Sequence, residues 1–236
     1  MTPAVSTVAE VLERLEEIDR ALPPSDGVKW FNKLYLEVTQ QVAASVPGHH
    51  QAAPGFLEAL DVAFGSLYFD AFEAAGSGAL PAAYPFHAWK PLFEARSATG
   101  IAPVQFALAG MNAHINHDLA IGICDVCAAR GTEPRDDTPE HEDYESVNAL
   151  IAKAEKKTKT WMMTGLLKEL DLVFNPVDDV VAVWNIEKAR AAAWVSAEVI
   201  WSLRGLPPLR KDYEEMNDQV VGFAGRALLT PVGLAG

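Results

Sequence analysis

The chain has 236 residues, half of them hydrophobic, which is enough to bury one sizeable core. Its 32 acidic and 19 basic residues give a formal net charge of −13, which disfavours nucleic acid and anionic membranes as partners. No stretch approaches the roughly 18 apolar residues of a membrane span, and the first ten residues lack the pattern of a secretory signal, so we expect a cytoplasmic protein.

Apolar residues recur at helical spacing along almost the whole chain, and proline or glycine separates the resulting segments. In chain order, the predicted helices cover residues 8–22, 26–47, 54–75, 85–96, 103–129, 140–170, 180–203 and 209–229. Clear strand alternation is absent. The sequence therefore predicts one all-α domain over residues 1–236, a bundle of about eight helices around a buried central helix at about 103–129. A polar loop near 131–139 follows that helix.

The predicted central helix contains an unusual polar cluster, the decapeptide GMNAHINHDL at residues 110–119. Apolar residues surround it on both sides, so its polar groups are expected to be buried and to need partners. On a helical wheel, His114, His117 and Asp118 share one edge, while Asn112 and Asn116 share another that points elsewhere. The five residues are therefore not expected to converge on one atom.

Two interpretations of this cluster stay open. In the first, His114 is a general base or metal ligand, Asp118 orients it or binds the same metal, and His117 and Asp143 assist. Asp143 begins the apolar face of the helix after the polar loop, where it would either reach the His114 edge or cap its own helix. In the second, the same residues form a hydrogen-bond network that fixes the register of the helices.

Other polar and aromatic residues are candidates for substrate binding. Asn112 and Asn116 belong to this group, although tying the central helix to neighbouring backbone is their more plausible role. His87 lies in an aromatic-rich short helix and would cap a pocket, and Trp194 and Glu198 share one stripe of a late helix.

The two cysteines, Cys124 and Cys127, are too few to staple a domain of this size. They are expected to be reduced and buried as small hydrophobic residues. The alternative is half of a zinc site, for which no second Cys pair is present.

The decapeptide resembles the signature of an uncharacterised, mainly actinobacterial family of the DUF5995 type. Asp143 with Tyr144, and the segment RAAAW at residues 190–194, look like further parts of the same pattern. This resemblance covers most of the chain and implies a helical fold, but no activity.

A much weaker likeness is to the all-helical zinc-dependent phospholipase C and nuclease family, whose metal-binding His-x-x-x-Asp spacing His114 and Asp118 match. The second helical His-x-x-x-Glu and the N-terminal tryptophan ligand of that family are missing here. The likeness therefore implies at most a single divalent metal, and no nucleotide-binding motif is present.

We expect an enzyme that acts on a small, largely apolar molecule by acid–base or metal-assisted chemistry, either hydrolysis or an isomerisation or cyclisation. The alternative is a non-catalytic helical module that binds a ligand or a partner. The sequence does not indicate an oligomeric state.

Overall fold

The computed structural model describes residues 4–45, 51–76, 86–151 and 185–231. Within these ranges the chain forms helices and no strands. The helices are α1 (Val8–Ala21), α2 (Gly27–Ser45), α3 (Phe56–Gly76), α4 (Lys90–Ala95), α5 (Pro103–Ala113), α6 (Leu119–Arg130), α7 (Pro139–Ser146), α8 (Ile186–Ser202) and α9 (Pro207–Leu228).

A π-helical segment, His114–Asp118, joins α5 to α6, so residues 103–130 form one continuous central helix. The amide of Leu119 donates to the carbonyl of His114, five residues back. This extra residue in the turn rotates α6 relative to the register of a regular α-helix. Single π turns of this kind occur frequently at functional sites.

Most of the central helix is buried because other helices pack around it, as its nearly uniform apolar character predicts, and only the last turns of α6 carry exposed residues. Helices α2 and α9 pack on α5, while α3 and α8 pack on α6. Close contact at α5 depends on Gly110, where an added Cβ would lie 2.3 Å from the Phe31 ring. An aromatic cluster from α2, α3 and the turn before α4 therefore reaches the backbone of the central helix.

Local signals in the sequence set several of the helix ends. Thr7 and Glu10 form a reciprocal capping box at the start of α1, which satisfies two amides of its first turn. Gly131, with a φ of 70°, ends α6 in the left-handed conformation that glycine adopts without strain. Thr138 caps α7 by accepting a hydrogen bond from the His141 amide.

The all-α prediction and the buried central helix are confirmed, and most predicted bounds agree closely with the structure. The helix predicted over 140–170 is interrupted, because α7 ends at Ser146 and Val147 forms a turn before residues 148–151 continue as helix. The Ser146 hydroxyl donates to the Asp143 carbonyl and thereby competes with the helical pattern at that point. The rest of that prediction, and the start of the one over 180–203, lie outside the described residues.

The helix predicted over 85–96 begins late, at Lys90, and His87 lies in the turn before it. The amides of His87 and Ala88 bind a buried carboxylate of α9 instead of helical carbonyls. Among the described residues, no helix is long and apolar enough to cross a membrane.

Candidate functional site

The Asp118 carboxylate is the centre of the polar network in the central helix. Its Oδ2 atom accepts hydrogen bonds from the Trp89 indole at 3.0 Å and from His114 Nδ1 at 3.1 Å. Its Oδ1 atom lies 2.8 Å from His117 Nδ1. All four of these side chains are almost completely buried. The predicted convergence of His114, His117 and Asp118 is therefore present, with one carboxylate between two imidazoles.

The protonation states in this network follow from burial and from these hydrogen bonds. Burial alone would raise the pKa of Asp118, but the bonds from His114 and His117 outweigh it and lower the pKa. Burial lowers the pKa of His114, which is therefore neutral near pH 7 and donates its Nδ1 proton to Asp118. For His117, burial is outweighed by the bond and charge of Asp118, so that its pKa is raised.

The network continues from His117 towards the surface through a second carboxylate. His117 Nε2 lies 3.7 Å from Oδ1 of Asp218 on α9. Asp218 is fully buried and also accepts bonds from the His87 ring at 2.8 Å and from the amides of His87 and Ala88. Imidazoles and carboxylates thus alternate from the core to His87, which is one-quarter exposed.

His114 lies at the inner end of this series, among aromatic rings. Its imidazole stacks on Phe64, with a centroid separation of 3.4 Å and planes 7° apart. The Tyr35 ring meets it edge-on at 4.5 Å, and Phe31 and Trp89 lie next to it. The Nε2 atom of His114 is buried and has no hydrogen-bond partner among the described residues.

An apolar cavity of about 220 Å³ lies on the other side of Tyr35 and Phe64. Helices α2 and α3, Leu119 of α6 and Arg190 of α8 contribute to its wall. Within the described part of the chain, His114, His117 and Asp118 do not line this cavity; two aromatic rings separate His114 from it. The residues that line the cavity are Val8, Tyr35, Val38, Thr39, Val42, Ala43, Leu57, Glu58, Leu60, Asp61, Phe64, Leu119, Val147, Ile151 and Arg190.

Asp61 places a carboxyl group in this apolar wall. Its Oδ2 atom is buried and accepts no hydrogen bond from the described residues. Burial raises the pKa of Asp61 to about 7. Burial also raises the pKa of the nearby Tyr35 hydroxyl well above its usual range, and the negative charge of Asp61 adds to this increase. The Thr39 hydroxyl lowers the pKa of Tyr35 by a smaller amount. The cavity therefore presents a carboxyl group that titrates near neutral pH beside a phenol that stays protonated.

Asn112 and Asn116 tie the central helix to neighbouring backbone, which is the more plausible of the two roles that the sequence suggested. Asn112 Nδ2 donates to the Val221 carbonyl of α9 at 2.9 Å, and its Oδ1 accepts from Asn116 Nδ2. The Asn116 carbonyl accepts from Asn217. The two polar edges are less separate than the wheel predicted, because His117 also faces α9. The π turn accounts for this, since it rotates His117 away from His114.

The Asp143 carboxylate neither reaches the His114 edge nor caps its own helix. Its carboxylate oxygens accept bonds from the amides of Ala52 and Ala53, at 2.7 and 2.9 Å. Asp143 therefore holds the segment that leads into α3. The sequence signal was correct about burial, but a partner 90 residues away could not be inferred from spacing.

The remaining predicted binding residues lie apart from Asp118. Trp194 is buried between His141 and Tyr144, and its indole nitrogen has no hydrogen-bond partner among the described residues. Glu198 is partly exposed on α8. His87 binds Asp218 at the outer end of the network. None of these three residues lines the described cavity.

The geometry offers little support for metal binding. Among the described residues, no group of three or more His, Cys, Asp or Glu side chains could hold a metal ion. Asp118 already binds three donors, so the predicted His114 and Asp118 pair offers only His114 Nε2. Cys124 and Cys127 are buried and reduced, as predicted.

Sequence reasoning missed the cavity residues. Asp61 lies in an otherwise apolar part of α3, between Leu60 and Val62, and Tyr35 belongs to the apolar stripe of α2. A single acid inside an apolar helical stripe is the signal that the sequence offers. It is a weak one, because a lone acid at such a position usually lies at the border of the stripe with solvent.

Comparison with known proteins places the chain in a family without an assigned activity. The model of a family of unknown function, DUF5995, matches residues 8–231. The chain belongs to that family. Searches of curated proteins and of solved structures found no match.

Proposed function

We propose that this protein is an enzyme that moves a proton on a small, largely apolar carbonyl compound bound in the cavity. The observation that carries the proposal is Asp61, a carboxyl group with a pKa of about 7 in an apolar wall beside Tyr35. A general acid–base group works best when its pKa lies near the working pH, and burial of a carboxyl group is one way to achieve this.

Each residue has a defined role in the proposed reaction. The ionised Asp61 removes a proton from the carbon next to the carbonyl group. The electron pair of that C–H bond forms a C=C bond to the carbonyl carbon, and the π pair of the C=O bond moves onto the oxygen, which gives an enolate. The Tyr35 hydroxyl donates a hydrogen bond to that oxygen. Protonated Asp61 then returns the proton to the same carbon or to another one, which completes an exchange or an isomerisation.

The His114 network supports the wall from behind. His114 contacts both Phe64 and Tyr35, and Asp118 fixes its ring through Nδ1. In this proposal the network positions Tyr35 and Phe64, and it does not touch the substrate. The direct catalytic role predicted for His114, His117 and Asp118 stays a prediction.

Deuterium exchange tests the proposal with simple carbonyl compounds in place of the natural substrate. The probes are 2-hexanone, cyclohexanone and 5-oxohexanoate in D2O, and proton NMR measures deuterium uptake next to the carbonyl group. We expect catalysed exchange of at least one probe. Asp61→Asn should lower that rate about 10²- to 10⁴-fold, and Tyr35→Phe about 10²-fold.

The matched control is Asp70→Asn, which removes an exposed acid from the same helix. This variant should exchange the probes at the wild-type rate. The proposal is wrong if none of the probes exchanges above background, or if Asp61→Asn exchanges them as fast as the wild type.

A second candidate function is ligand binding without turnover. The observation in its favour is that Asp118, Asp143 and Asp218 are each satisfied by several protein donors, as in a structural network. In that case a probe would bind in the cavity without exchange, and changes in the network would affect stability alone.

A further inference from the structure

Arg190 is a buried cation whose side chain also lines the cavity. It lies on α8, and only 7% of the residue is exposed. Its Nε atom donates to Asn148 Oδ1 at 2.7 Å, and its Nη2 atom donates to the Tyr144 carbonyl at 2.7 Å. The guanidinium also stacks on the Tyr144 ring at 3.9 Å. These contacts hold it rigidly in one orientation.

All of these partners are neutral. Among the described residues, no carboxylate forms an ion pair with Arg190, although 32 acidic side chains are present in the chain. Buried charges are normally paired, and a guanidinium matches a carboxylate through two parallel N–H bonds. The guanidinium has five N–H groups, and the two bonds above leave three of them for another acceptor.

Asp61 is not the missing partner. Its buried Oδ2 atom has no hydrogen-bond partner among the described residues, so it does not bind the guanidinium. Arg190 and the Asp61–Tyr35 pair are therefore separate polar positions of the cavity, and Thr39 and the exposed Glu58 are the other polar residues of its described wall. Apolar side chains line the rest of it, among them Val38, Val42, Leu57, Leu60, Val147 and Ile151.

We infer that the cavity binds a small apolar carboxylate whose anionic end pairs with Arg190. The inference builds on the proposed function by naming the substrate class of the same site. A volume of about 220 Å³ holds roughly seven water-sized groups at ~30 Å³ each, which matches an acid of about six carbons. The reacting carbonyl group would then lie in the same molecule, towards Asp61 and Tyr35.

Calorimetric titration with three matched six-carbon probes tests this inference. Hexanoate, hexanamide and hexylamine share a chain and differ in the charge of the head group. We expect hexanoate to bind with a Kd below about 1 mM, and both hexanamide and hexylamine to bind at least 10-fold more weakly. This comparison uses the wild-type protein, so it does not depend on the folding of a variant.

Variants then assign the site. Arg190→Lys keeps the charge but loses the planar fork, so it should weaken hexanoate binding about 10-fold, and Arg190→Gln should weaken it further. Leu57→Trp should weaken it at least 10-fold by filling the cavity. The control is Arg204→Gln, because Arg204 also stacks on an aromatic ring but lies outside the cavity; its Kd should equal that of the wild type.

The inference is overturned if hexanoate and hexanamide bind equally, if hexylamine binds most tightly, or if none of the three binds. These outcomes are distinct from failure of the proposed reaction. Hexanoate binding without exchange of any carbonyl probe would reject only the reaction. Exchange of 2-hexanone without binding of hexanoate would reject only the inference that the ligand is a carboxylate.

Discussion

Asp118 and Asp61 are two acidic residues of one helical core, and they differ in their hydrogen bonds and in their access to the cavity. Asp118 accepts hydrogen bonds from two histidines and a tryptophan, and these bonds keep its pKa low. Asp61 accepts none at Oδ2 from the described residues, and burial raises its pKa to about 7. Asp118 is enclosed by protein, whereas Asp61 faces a cavity.

This difference distinguishes a buried carboxylate with a structural role from one that we propose to be functional. A buried carboxylate that accepts several bonds from protein donors and is enclosed by them is closed to a substrate, and it contributes mainly to a unique arrangement of helices. A carboxyl group without partners is costly to keep in a fold, and such groups cluster at functional sites. In the proposed function, the conspicuous cluster in the sequence therefore supports the site, and the inconspicuous Asp61 is its reactive group.

The largest expected effect is the loss of Asp118. Asp118→Ala leaves three buried donors without an acceptor, so we expect the free energy of unfolding to fall by about 4 kcal/mol at pH 7. Urea unfolding followed by circular dichroism measures this change. Asp212→Ala, which removes an exposed acid of α9, should change it by less than about 0.5 kcal/mol. A loss below about 1 kcal/mol for Asp118→Ala would remove the contrast between the two acids.

Asp61→Asn should have the opposite effect, which is to raise the free energy of unfolding at pH 7. An unfolded aspartate titrates near pH ~3.9, whereas folded Asp61 titrates near 7. Between these values the folded protein holds the extra proton, so its stability falls as pH rises from about 4 to 7. The asparagine variant lacks this loss, and its stability advantage over the wild type should grow by about 3 kcal/mol between pH 5 and pH 8.

Urea unfolding of both proteins at the two pH values measures that advantage, with Asp212→Asn as the control for removing one negative charge. An advantage that stays constant with pH would show that the pKa of Asp61 in the folded protein is that of an ordinary aspartate.

The smallest expected effect on the free energy of unfolding is at His87, the outer end of the network. His87→Ala removes one hydrogen bond from Asp218, but the amides of residue 87 and of Ala88 still bind this carboxylate. We therefore expect a loss of about 1 kcal/mol in unfolding free energy, measured in the same way. A loss as large as that of Asp118→Ala would mean that the whole network acts as one unit.

Much of the fold could be predicted because helix periodicity and end signals are local. The buried central helix and the ends of α1, α3 and α9 follow from apolar spacing and from proline and glycine. The end of α7 at Ser146 could not be predicted in this way, since apolar spacing continues beyond it. Likewise, the sequence analysis placed His87 in a helix, because local spacing could not indicate that the carboxylate of residue 218 binds the His87 amide.

The site was only half predictable. The contact of His114 with Asp118 follows from i,i+4 spacing on one helix, and the wheel identified it. The partners of Asp143 and Asp218 lie far away along the chain, and the cavity is formed by several helices that no spacing relates. The π turn at residues 114–118 also moved His117 towards α9, and no local signal predicted it.

The most direct test of this account is a carboxyl titration by NMR. Selective carbon-13 labelling of aspartate, with Asp61→Asn and Asp118→Asn used for assignment, gives the pKa of each group in the folded protein. We expect Asp61 to titrate at about 7 and Asp118 to titrate below the ordinary aspartate value. Titration of Asp61 near pH ~4, together with the exposed aspartates, would contradict the central claim that the cavity contains a neutral-pH acid–base group.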